Sequence, residues 1–452
     1  MSGEGLSLSD VADLSQLSPV YISAGDTQLA SELGRQITQS GGHAQIGLEG
    51  LLPADSIVIL TEGMTDVSLV DRHWTVLEHC KALKGIVGKI IILERDTAAD
   101  HGALSGFQGL SKTLRQEWPD ADISTWSVSP AQVPARDIVR ALSSGVGDAV
   151  IRNGKVGAAQ TASVSCLAAP VSPRKNVWFV SGGARGVTAA CVTELAKRQA
   201  GSVFLLAGRS EVEAWPAYVP VTEDIKTLRN ALITFARERG QKPSLPEIDK
   251  TARQLLAGQE VRETLSAIET AGARAVYLPL DIGNAGATTH TLSGAISQYG
   301  VITGLVHGAG VLADGLALKK TEMDLQRVFQ PKVQGLLNIL NVLDVSALRH
   351  VGLFSSASAV FGNTGQSDYA MANAWLNAVA RHLHGQLPEA IVKSFCWGPW
   401  EGGMVDSTLA AHFASRGIKL IDLEDGSRIF ADQILQGSRD DVELLIGDEW
   451  AA

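Results

Sequence analysis

The fold is decided by the stretch Val177-Trp178-Phe179-Val180-Ser181-Gly182-Gly183-Ala184-Arg185-Gly186-Val187. An apolar run ends in a glycine-rich turn, and residues 188–197 then have the composition of a helix. Glycines let the backbone approach a pyrophosphate, and a helix N-terminus offers free N–H groups and a positive dipole end. The stretch is typical of the first strand, turn and helix of a dinucleotide-binding unit, although a glycine-rich turn alone also occurs in plain loops.

The bulk composition limits the classes of protein. The chain has 452 residues, of which 45% are hydrophobic and 19% charged, which predicts two or three domains with large cores. The net charge of −10, without a long Lys/Arg run, argues against nucleic acid or a membrane surface as partner. No apolar stretch reaches the roughly 18 residues that span a bilayer, and no signal-peptide pattern is present. The scattered cysteines indicate neither a disulfide framework nor a metal site, so a cytoplasmic protein is expected.

The first part of the chain has the pattern of an α/β domain without a phosphate site. Apolar runs predict strands at 20–25, 56–60 and 86–93, and helical spacing predicts helices at 29–38, 67–82 and 106–118. The first strand is followed by Gly25 and Asp26, and a carboxylate there would repel a pyrophosphate. We interpret this part as a degenerate, structural copy of the second part; an unrelated α/β domain is the alternative. A Ser/Ala/Pro-rich transition predicts domains at 1–170 and 171–452.

Two arginines favour a phosphorylated dinucleotide. The second strand of the dinucleotide unit, at 202–210, ends at Arg209, where the adenosine ribose binds in such folds. An arginine there pairs with the 2′-phosphate of NADP, and Arg185 in the glycine turn can reach the same group. Two cations and no acid favour NADPH over NADH; a solvated surface arginine is the alternative interpretation of Arg209.

Two further strand ends complete the predicted cofactor site. Asp281 ends the third strand and can accept a hydrogen bond from the adenine amino group. The fourth strand leads into His307 and three small residues that let the nicotinamide ribose pass; we assign His307 to shaping this pocket, not to proton transfer. The predicted cofactor-binding residues are Gly182, Gly183, Arg185, Gly186, Val187, Arg209, Ser210, Asp281, Ile282, His307, Gly308, Ala309, Gly310, Lys332, Tyr369, Gly398 and Pro399; no metal ligands are predicted.

Four polar residues form a pattern that suits carbonyl reduction. Tyr369 follows Ser356 by thirteen residues, Asn373 lies one helical turn later, and Lys332 lies on the helix before them. A tyrosine protonates the carbonyl oxygen while hydride arrives, and a nearby ammonium stabilises the phenolate. A serine hydroxyl donates to the developing alkoxide, and an asparagine can hold the lysine or a water chain. Alone, Lys332 is typical of a surface lysine and Ser356 of a helix cap; the set in this order favours catalysis.

These motifs resemble a known superfamily. Ser181-Gly182-x-x-x-Gly186, His307-x-Ala309-Gly310, Ser356 and Tyr369-x-x-x-Asn373 are similar to the short-chain dehydrogenase/reductases. The order of lysine and asparagine resembles the ketoreductase domains of modular polyketide synthases and related fatty acid synthases. The resemblance implies an α/β fold of two Rossmann-like doubly wound parallel sheets, with an N-terminal cofactor-free subdomain and a catalytic NADPH-binding subdomain. Residues 106–119 and Trp397-Gly398-Pro399-Trp400 also match such domains.

The chain departs from the family pattern in two places. Thr188 stands where a third glycine is common, and residues 211–260 separate the second strand from its usual helix at 261–271. An apolar stripe predicts a helix over 223–239 with Thr222 as N-cap, and a second helix begins at Ser244. This resembles the helical insertion of ketoreductases from polyunsaturated fatty acid synthases and some iterative polyketide synthases. Docking to neighbouring domains and a lid over its own stripe are both open interpretations.

The resemblance also implies a substrate and a stereochemical outcome. The substrate would be a β-ketoacyl thioester on the phosphopantetheine arm of an acyl carrier protein, reduced to the β-hydroxyacyl thioester. Leu312-Ala313-Asp314 resembles the Leu-Asp-Asp signature of B-type enzymes, and Phe361 stands where A-type enzymes have tryptophan, so a 3R (D) alcohol is expected. The further residues expected at the substrate are Gln366, Trp400 and Met404, with a lid over 402–416.

Three other functions stay open at this point. One is a stand-alone reductase of free ketones or quinones, although such enzymes do not need a cofactor-free first part. Another is a non-reducing scaffold domain of a megasynthase, and a third is epimerisation as a side activity. No ketosynthase, thioesterase or carrier motif is present, so we expect a piece of a larger synthase with neighbouring domains as partners.

Overall fold

The computed structural model describes residues 6–7, 13–95, 100–129, 135–152, 154–164, 175–240, 242, 244–402, 414–415 and 417–447. The described residues form two α/β units, each built on a mainly parallel sheet with helical crossovers, so the expected fold class is confirmed. No helix among the described residues is long and apolar enough to cross a membrane.

The first unit has an eight-stranded sheet. Its strands are β1 (Leu6–Ser7), β2 (Val20–Ile22), β3 (Ala44–Ile46), β4 (Ile57–Leu60), β5 (Lys89–Arg95), β6 (Asp122–Val128), β7 (Ala149–Arg152) and β8 (Lys155–Gly157). Its helices are α1 (Thr27–Gln39), α2 (Leu69–Leu83), α3 (Phe107–Glu117) and α4 (Ala135–Ser143). The order is β1-β8-β7-β6-β5-β4-β2-β3, with β1 and β8 antiparallel to their neighbours. The parallel part follows the flavodoxin-like order, in which one strand lies on the short side of the switch point.

The turn after β2 contains carboxylates where a phosphate loop would need free donors. Asp26 caps α1 by accepting from the N–H of Leu29 at 2.9 Å. The buried carboxylate of Glu62 accepts from the Ser23 hydroxyl at 2.7 Å, and a Cβ on Gly25 would lie 2.8 Å from the Glu62 backbone. A phosphate here would meet negative charge and no open space, which supports the interpretation of this unit as cofactor-free.

The second unit has a seven-stranded parallel sheet. Its strands are β9 (Val177–Ser181), β10 (Val203–Gly208), β11 (Arg274–Pro279), β12 (Gly304–His307), β13 (His350–Ser356), β14 (Ile391–Trp397) and β15 (Glu443–Ile446). Its helices are α5 (Gly186–Lys197), α6 (Ile225–Glu238), α7 (Leu245–Thr270), α8 (Ala285–Tyr299), α9 (Glu322–Phe329), α10 (Gly335–Leu340), α11 (Ala357–Phe361), α12 (Ser367–Gln386) and α13 (Leu423–Gln436). The order β11-β10-β9-β12-β13-β14-β15 reverses direction between β9 and β12, and ligands bind at the carboxyl ends beside such a point.

The insertion between β10 and β11 differs from the sequence prediction in its helix limits. Asp224, not Thr222, caps α6, because its carboxylate accepts from two backbone N–H groups while Thr222 accepts from Asp224 itself. Helix α7 begins after its N-cap Ser244 as expected, but it continues without a break to Thr270. The helix predicted separately at 261–271 is therefore the second half of α7.

The apolar stripe of α6 packs against other residues of the insertion. Leu228 and Leu232 are buried in a small cluster with Ile248 and Leu255 of α7 and with Val219. This cluster is separate from the cores of the two sheets. The stripe therefore covers its neighbour within the insertion, which favours the lid interpretation over a docking face for these side chains.

Helix α3 of the first unit packs on helix α12 of the second at backbone distance. A Cβ on Gly109 would lie 2.3 Å from the Ala370 carbonyl oxygen, and one on Gly106 would lie 1.9 Å from that of Met371. Leu110 of α3 and Trp375 of α12 belong to one continuous core. The two units therefore share a core, and the glycines of α3 set how closely they approach.

Adding one methyl group to α3 tests this contact. Gly109→Ala should lower the free energy of unfolding by about 1–3 kcal/mol, because the methyl group overlaps the Ala370 carbonyl. The matched control is Gly385→Ala on the exposed end of α12, where no atom lies within 4 Å of the new methyl group. The control should raise the free energy of unfolding by about 0.5–1 kcal/mol through helix propensity alone. Urea denaturation measures both; a stabilising Gly109→Ala would contradict the close packing.

Candidate active site

A cavity of about 860 Å³ opens at the carboxyl ends of β9, β10, β12 and β13. This volume lies within the range of small-molecule sites. Most of the residues predicted from sequence line it, namely Gly182, Arg185, Gly186, Val187, Arg209, Asp281, Ile282, Gly308, Ala309, Gly310, Leu312, Lys332, Ser356, Gln366, Tyr369, Gly398, Pro399 and Trp400. Most of the predicted cofactor residues and three of the four predicted catalytic residues therefore meet in one cavity, whereas Asn373 does not line it.

The glycine turn leaves space and free donors at the start of α5. Gly182 has φ +69°, and a Cβ on it would lie 2.8 Å from the Ala309 nitrogen. Gly186 has φ +61° with open space beside it, and Arg185 makes no side-chain cap to α5. Free N–H groups beside open space fit a pyrophosphate. Gly183 instead points into the core, where a Cβ would lie 2.1 Å from Val180, and it does not line the cavity.

The third-glycine position is compensated from the neighbouring strand. Thr188 lines the cavity, and its hydroxyl lies 2.3 Å from where a Cβ of Gly308 would be. The missing side chain at Gly308 therefore provides the space that Thr188 occupies. Their contact could not be predicted from the sequence, because it depends on how β12 lies beside α5.

The part of the cavity where the adenosine was expected contains both cations and acids. Arg185 and Arg209 line it as expected, and so does Asp281, which accepts from the N–H of Gly283 at 3.0 Å. Ser210 does not line it; its carbonyl accepts from the Tyr277 hydroxyl at 2.7 Å. Apart from Lys332, whose ammonium binds the Phe354 carbonyl, the two arginines are the cations among the described lining residues.

Helix α7 adds acids that sequence reasoning missed. Glu260 and Glu263 line the cavity, and Glu260 Oε2 lies 2.6 Å from Nε of Arg185. Both side chains of this ion pair are about half exposed, at 46% and 48%. The expectation of two cations with no acid is therefore wrong, because α7 continues past the insertion and returns to the glycine turn.

His307 is buried beneath the turn and does not line the cavity. Its Nδ1 lies 2.7 Å from the Ser181 hydroxyl, and its Nε2 lies 2.8 Å from the Lys332 carbonyl oxygen. Burial lowers the pKa of His307 to about 3, so the ring is neutral at neutral pH. A carbonyl only accepts, so Nε2 carries the hydrogen and Nδ1 accepts from the hydroxyl. His307 therefore links the glycine turn to the backbone of Lys332.

Lys332 lies on a π-helical turn, Gln330–Gln334, between α9 and α10. Its side chain is buried, so the surface-lysine alternative is wrong. Its ammonium donates to the Phe354 carbonyl at 2.8 Å and lies 5.2 Å from the ring centre of Tyr369. Burial lowers the pKa of Lys332 to about 7. π-helical turns occur often at functional sites, and this one places an ammonium beside a phenol inside the protein.

Tyr369 and Asn373 lie in the first turns of α12. Burial raises the pKa of the Tyr369 phenol, and the Asn373 amide opposes that change. Asn373 Nδ2 donates to the Tyr369 carbonyl at 2.9 Å, and its Oδ1 has no hydrogen-bond partner within the described part of the chain. The expected link from Asn373 to Lys332 is not made, because the ammonium binds the Phe354 carbonyl instead.

Ser356 caps a helix and also lines the cavity, so its position is compatible with both of the roles considered from sequence. Its hydroxyl oxygen caps α11 by accepting from the N–H of Ser358 at 3.1 Å, and the residue lines the cavity. Because this bond uses an oxygen lone pair, the hydroxyl hydrogen stays available to another acceptor. The cap thus orients a donor towards the cavity.

The predicted substrate residues divide into three groups. Leu312, Gln366 and Trp400 line the cavity, and Asp314 accepts from Gln366 Nε2 at 3.2 Å without lining it. Phe361 ends α11 beside α3, does not line the cavity, and its carbonyl accepts from Gln116. Met404 lies outside the described residues, as does most of the expected lid.

Comparison with known proteins decides the family. The family model described as the KR domain matches residues 176–402, which is half of the chain. The chain belongs to the KR, or ketoreductase, domain family. Members of this family are oxidoreductases that use a nicotinamide cofactor, in agreement with the cavity described above.

Individual relatives agree with this assignment. The ketoreductase chain is 35% identical over 369 residues to one of the polyunsaturated fatty acid synthase subunits of Thraustochytrium sp., covering 78% of this chain and 13% of that protein. It is 34% identical over 180 residues to polyketide synthase PksN of Bacillus subtilis, covering 38% of this chain and 3% of that one. The chain thus corresponds to a small part of each synthase. The ketoreductase from the first module of phoslactomycin biosynthesis in Streptomyces sp. HK803 shares the fold, with TM-score 0.72, 18% identity and coverage of 98% and 90%.

The buried ammonium gives the ketoreductase a pH-dependent stability. The pKa of Lys332 is about 7 in the folded protein against 10.5 ordinarily, so between these values the unfolded chain holds a proton that the folded protein lacks. The free energy of unfolding therefore gains a contribution that rises with pH across this window. Lys332→Met should abolish that contribution, so its increase in unfolding free energy from pH 7 to pH 9 should be smaller than that of the wild type.

Urea denaturation of the ligand-free protein at both pH values measures this difference. Lys197→Met is the matched control, because that ammonium is 62% exposed, and it should keep the wild-type increase. An equal increase in wild type and Lys332→Met would contradict the lowered pKa.

Proposed function

We propose that the chain reduces a β-ketoacyl thioester, carried on the phosphopantetheine arm of an acyl carrier protein, to the β-hydroxyacyl thioester with NADPH. The observation that carries this proposal is that Lys332, Ser356 and Tyr369 line one cavity with the glycine turn. Membership of the ketoreductase family and similarity to a component of a polyunsaturated fatty acid synthase support it. We expect neighbouring synthase domains and the carrier protein to be its partners.

Tyr369 is the proton donor in this proposal. When bound, the nicotinamide supplies hydride to the carbonyl carbon. Burial keeps the Tyr369 phenol protonated before reaction, so it can donate to the carbonyl oxygen. As the phenol loses its proton, the developing phenolate favours the charged form of Lys332, whose ammonium lies 5.2 Å from the ring centre. The phenolate and the ammonium therefore stabilise each other, whereas burial disfavours either charge alone.

Ser356 and Asn373 support the same proton transfer. The Ser356 hydroxyl hydrogen is not used by the α11 cap, so it can donate to the oxygen that becomes negative. Asn373 holds the backbone of Tyr369, and its Oδ1, which has no hydrogen-bond partner among the described residues, can accept from a water that returns a proton to the phenol.

The stereochemical part of the proposal is a 3R (D) alcohol, as in B-type enzymes. Leu312 lines the cavity, and Asp314 accepts from Gln366, three residues before Tyr369. These contacts support a position of the Leu312-Ala313-Asp314 segment beside the proton donor. From there the segment can determine which face of the substrate carbonyl is turned towards the nicotinamide.

Turnover of a model thioester tests the function. The protein is mixed with NADPH and a β-ketoacyl N-acetylcysteamine or phosphopantetheine thioester, and loss of NADPH absorbance is followed. Tyr369→Phe should lower kcat by at least about 100-fold with little change in NADPH binding, because only the proton donor is removed. Chiral analysis of the wild-type product should give the 3R alcohol.

Other outcomes point to the alternatives. Preference for a free ketone over the thioester would favour a stand-alone reductase. NADPH binding without turnover, even with a carrier-bound thioester, would favour a non-reducing scaffold domain. An L-alcohol would contradict the B-type assignment alone, and full activity of Tyr369→Phe would overturn the assigned proton donor.

Glu260 should weaken the preference for NADPH. Its carboxylate binds Arg185 at 2.6 Å, so a 2′-phosphate must compete for that arginine and lie near a negative charge. Glu260→Gln removes this competition and should lower the Kd for NADPH about 3- to 10-fold, where tenfold corresponds to about 1.4 kcal/mol. The Kd for NADH, which has no 2′-phosphate, should stay within about 2-fold of the wild-type value. Fluorescence titration measures both constants.

The control is Glu269→Gln on the same helix, where the exposed side chain does not line the cavity. It should change neither Kd. Weaker NADPH binding by Glu260→Gln would mean that Glu260 orients Arg185 for the phosphate instead of competing with it.

A further inference from the structure

A buried ion pair lies next to the reacting tyrosine in the chain. The ammonium of Lys320 is 2.7 Å from each carboxylate oxygen of Asp368, and the two side chains are 2% and 1% exposed. The same ammonium donates to the Ala313 carbonyl. Asp368 Oδ1 also accepts from the N–H of Tyr369 at 2.8 Å. The pair therefore connects the backbone of Tyr369 to the segment that contains Ala313.

The ion pair joins two segments that line the cavity from different parts of the chain. We call residues 311–320 the substrate loop and residues 362–369 the tyrosine turn. The substrate loop contributes Leu312 to the cavity, and the tyrosine turn contributes Tyr369. Neither Lys320 nor Asp368 lines the cavity, so both act through other residues.

Two more hydrogen bonds join the same segments near the surface. The N–H of Gly315 donates to the Gly365 carbonyl at 2.9 Å. Gln366 Nε2 donates to Asp314 at 3.2 Å. The Gln366–Asp314 bond is exposed to water, whereas the ion pair is buried, so solvent competes less with the ion pair than with this side-chain bond.

The first unit holds both segments from outside. Oε2 of Glu117, at the end of α3, accepts from the N–H of Ala317 at 2.7 Å, and its Oε1 accepts from the N–H of Gly365 at 2.9 Å. Lys81 of α2 donates to the Lys320 carbonyl at 2.8 Å. One carboxylate thus bridges the two segments, on the side of the cofactor-free unit.

We propose that Lys320 and Asp368 are positioning residues that fix the substrate loop relative to the Tyr369 phenol, and so determine which face of the carbonyl receives hydride. This inference rests on the proposed function. A buried ion pair contributes little net stability, because desolvation offsets the attraction between the charges. In this proposal the pair holds the two segments in one geometry, because the ammonium meets both carboxylate oxygens and the Ala313 carbonyl at once. The pair therefore fixes a relative position more than it stabilises the fold.

The double variant Lys320→Met/Asp368→Leu removes both charges at similar volume, in the full chain. The enantiomer ratio of the product should fall at least tenfold, and kcat should fall with KM for NADPH unchanged. Amide hydrogen exchange in residues 312–317 and 363–369 should become faster. The unfolding temperature should stay close to the wild-type value. A pair with a purely structural role would instead lower the unfolding temperature and leave the enantiomer ratio unchanged.

The matched control is Arg198→Met/Asp432→Leu, which removes an ion pair between α5 and α13 that does not line the cavity. It should leave the enantiomer ratio and the exchange of both segments unchanged. A wild-type ratio and wild-type exchange in the Lys320/Asp368 double variant would overturn the proposal, and so would an equal effect of the control.

The single variant Lys320→Met provides a second test if the double variant does not fold. In Lys320→Met the remaining carboxyl can take up a proton, since burial already raises the pKa of Asp368. If both variants fail to fold, the pair is needed for stability and the positioning role is rejected. Absence of wild-type turnover would instead contradict the proposed function, and the exchange comparison, which needs no substrate, would still test whether the pair fixes the substrate loop relative to the tyrosine turn.

Discussion

The position of helix α12 is the constraint on which the catalytic half depends. The helix carries Tyr369 and is buried along most of its length, between α3, α9, β13 and β14. Its carbonyls at Ala370 and Met371 face the glycines of α3 with no side chain between them. Close-packed interiors do not deform continuously, so a helix held on all sides keeps its side chains in one arrangement. The first unit therefore has a physical role in the site although its own phosphate position is filled by carboxylates.

The second constraint is the cost of burying Lys332. An ammonium in a buried site loses hydration, and this loss lowers the pKa of Lys332. The protein compensates with one carbonyl, that of Phe354, and holds the lysine backbone through the neutral ring of His307. The π-helical turn belongs to the same arrangement, because a regular helix would place residue 332 at another angle. The local structure is least regular where the proposed chemistry needs an uncommon charge.

Local patterns in the sequence predicted the parts of the fold and site that depend on neighbours in the chain, such as the turn at Gly182 and the helix that carries Tyr369. Contacts between distant residues could not be predicted in this way. Glu260 binds Arg185 across 75 residues, although a glutamate alone is typical of a solvated helix face. Phe361 is the reverse case, because its position in the sequence favoured a place at the substrate, whereas it does not line the cavity and α11 ends beside α3. Family spacing identifies a position in the chain, whereas the packing of the neighbouring helix determines where the side chain goes.

Helix α7 shows how an insertion can affect a site that it does not belong to in sequence. Its first half forms the insertion cluster with Leu228, and its second half lines the cavity. The helix has 26 residues, about 39 Å at 1.5 Å per residue. The Thr264 hydroxyl lies 3.1 Å from the Ala184 carbonyl and 2.9 Å from the Glu260 carbonyl, which places α7 against the glycine turn beside the Arg185–Glu260 pair. One continuous helix therefore holds the insertion cluster at one end and the Arg185–Glu260 pair at the other, so the insertion and this side of the cavity belong to the same structural element.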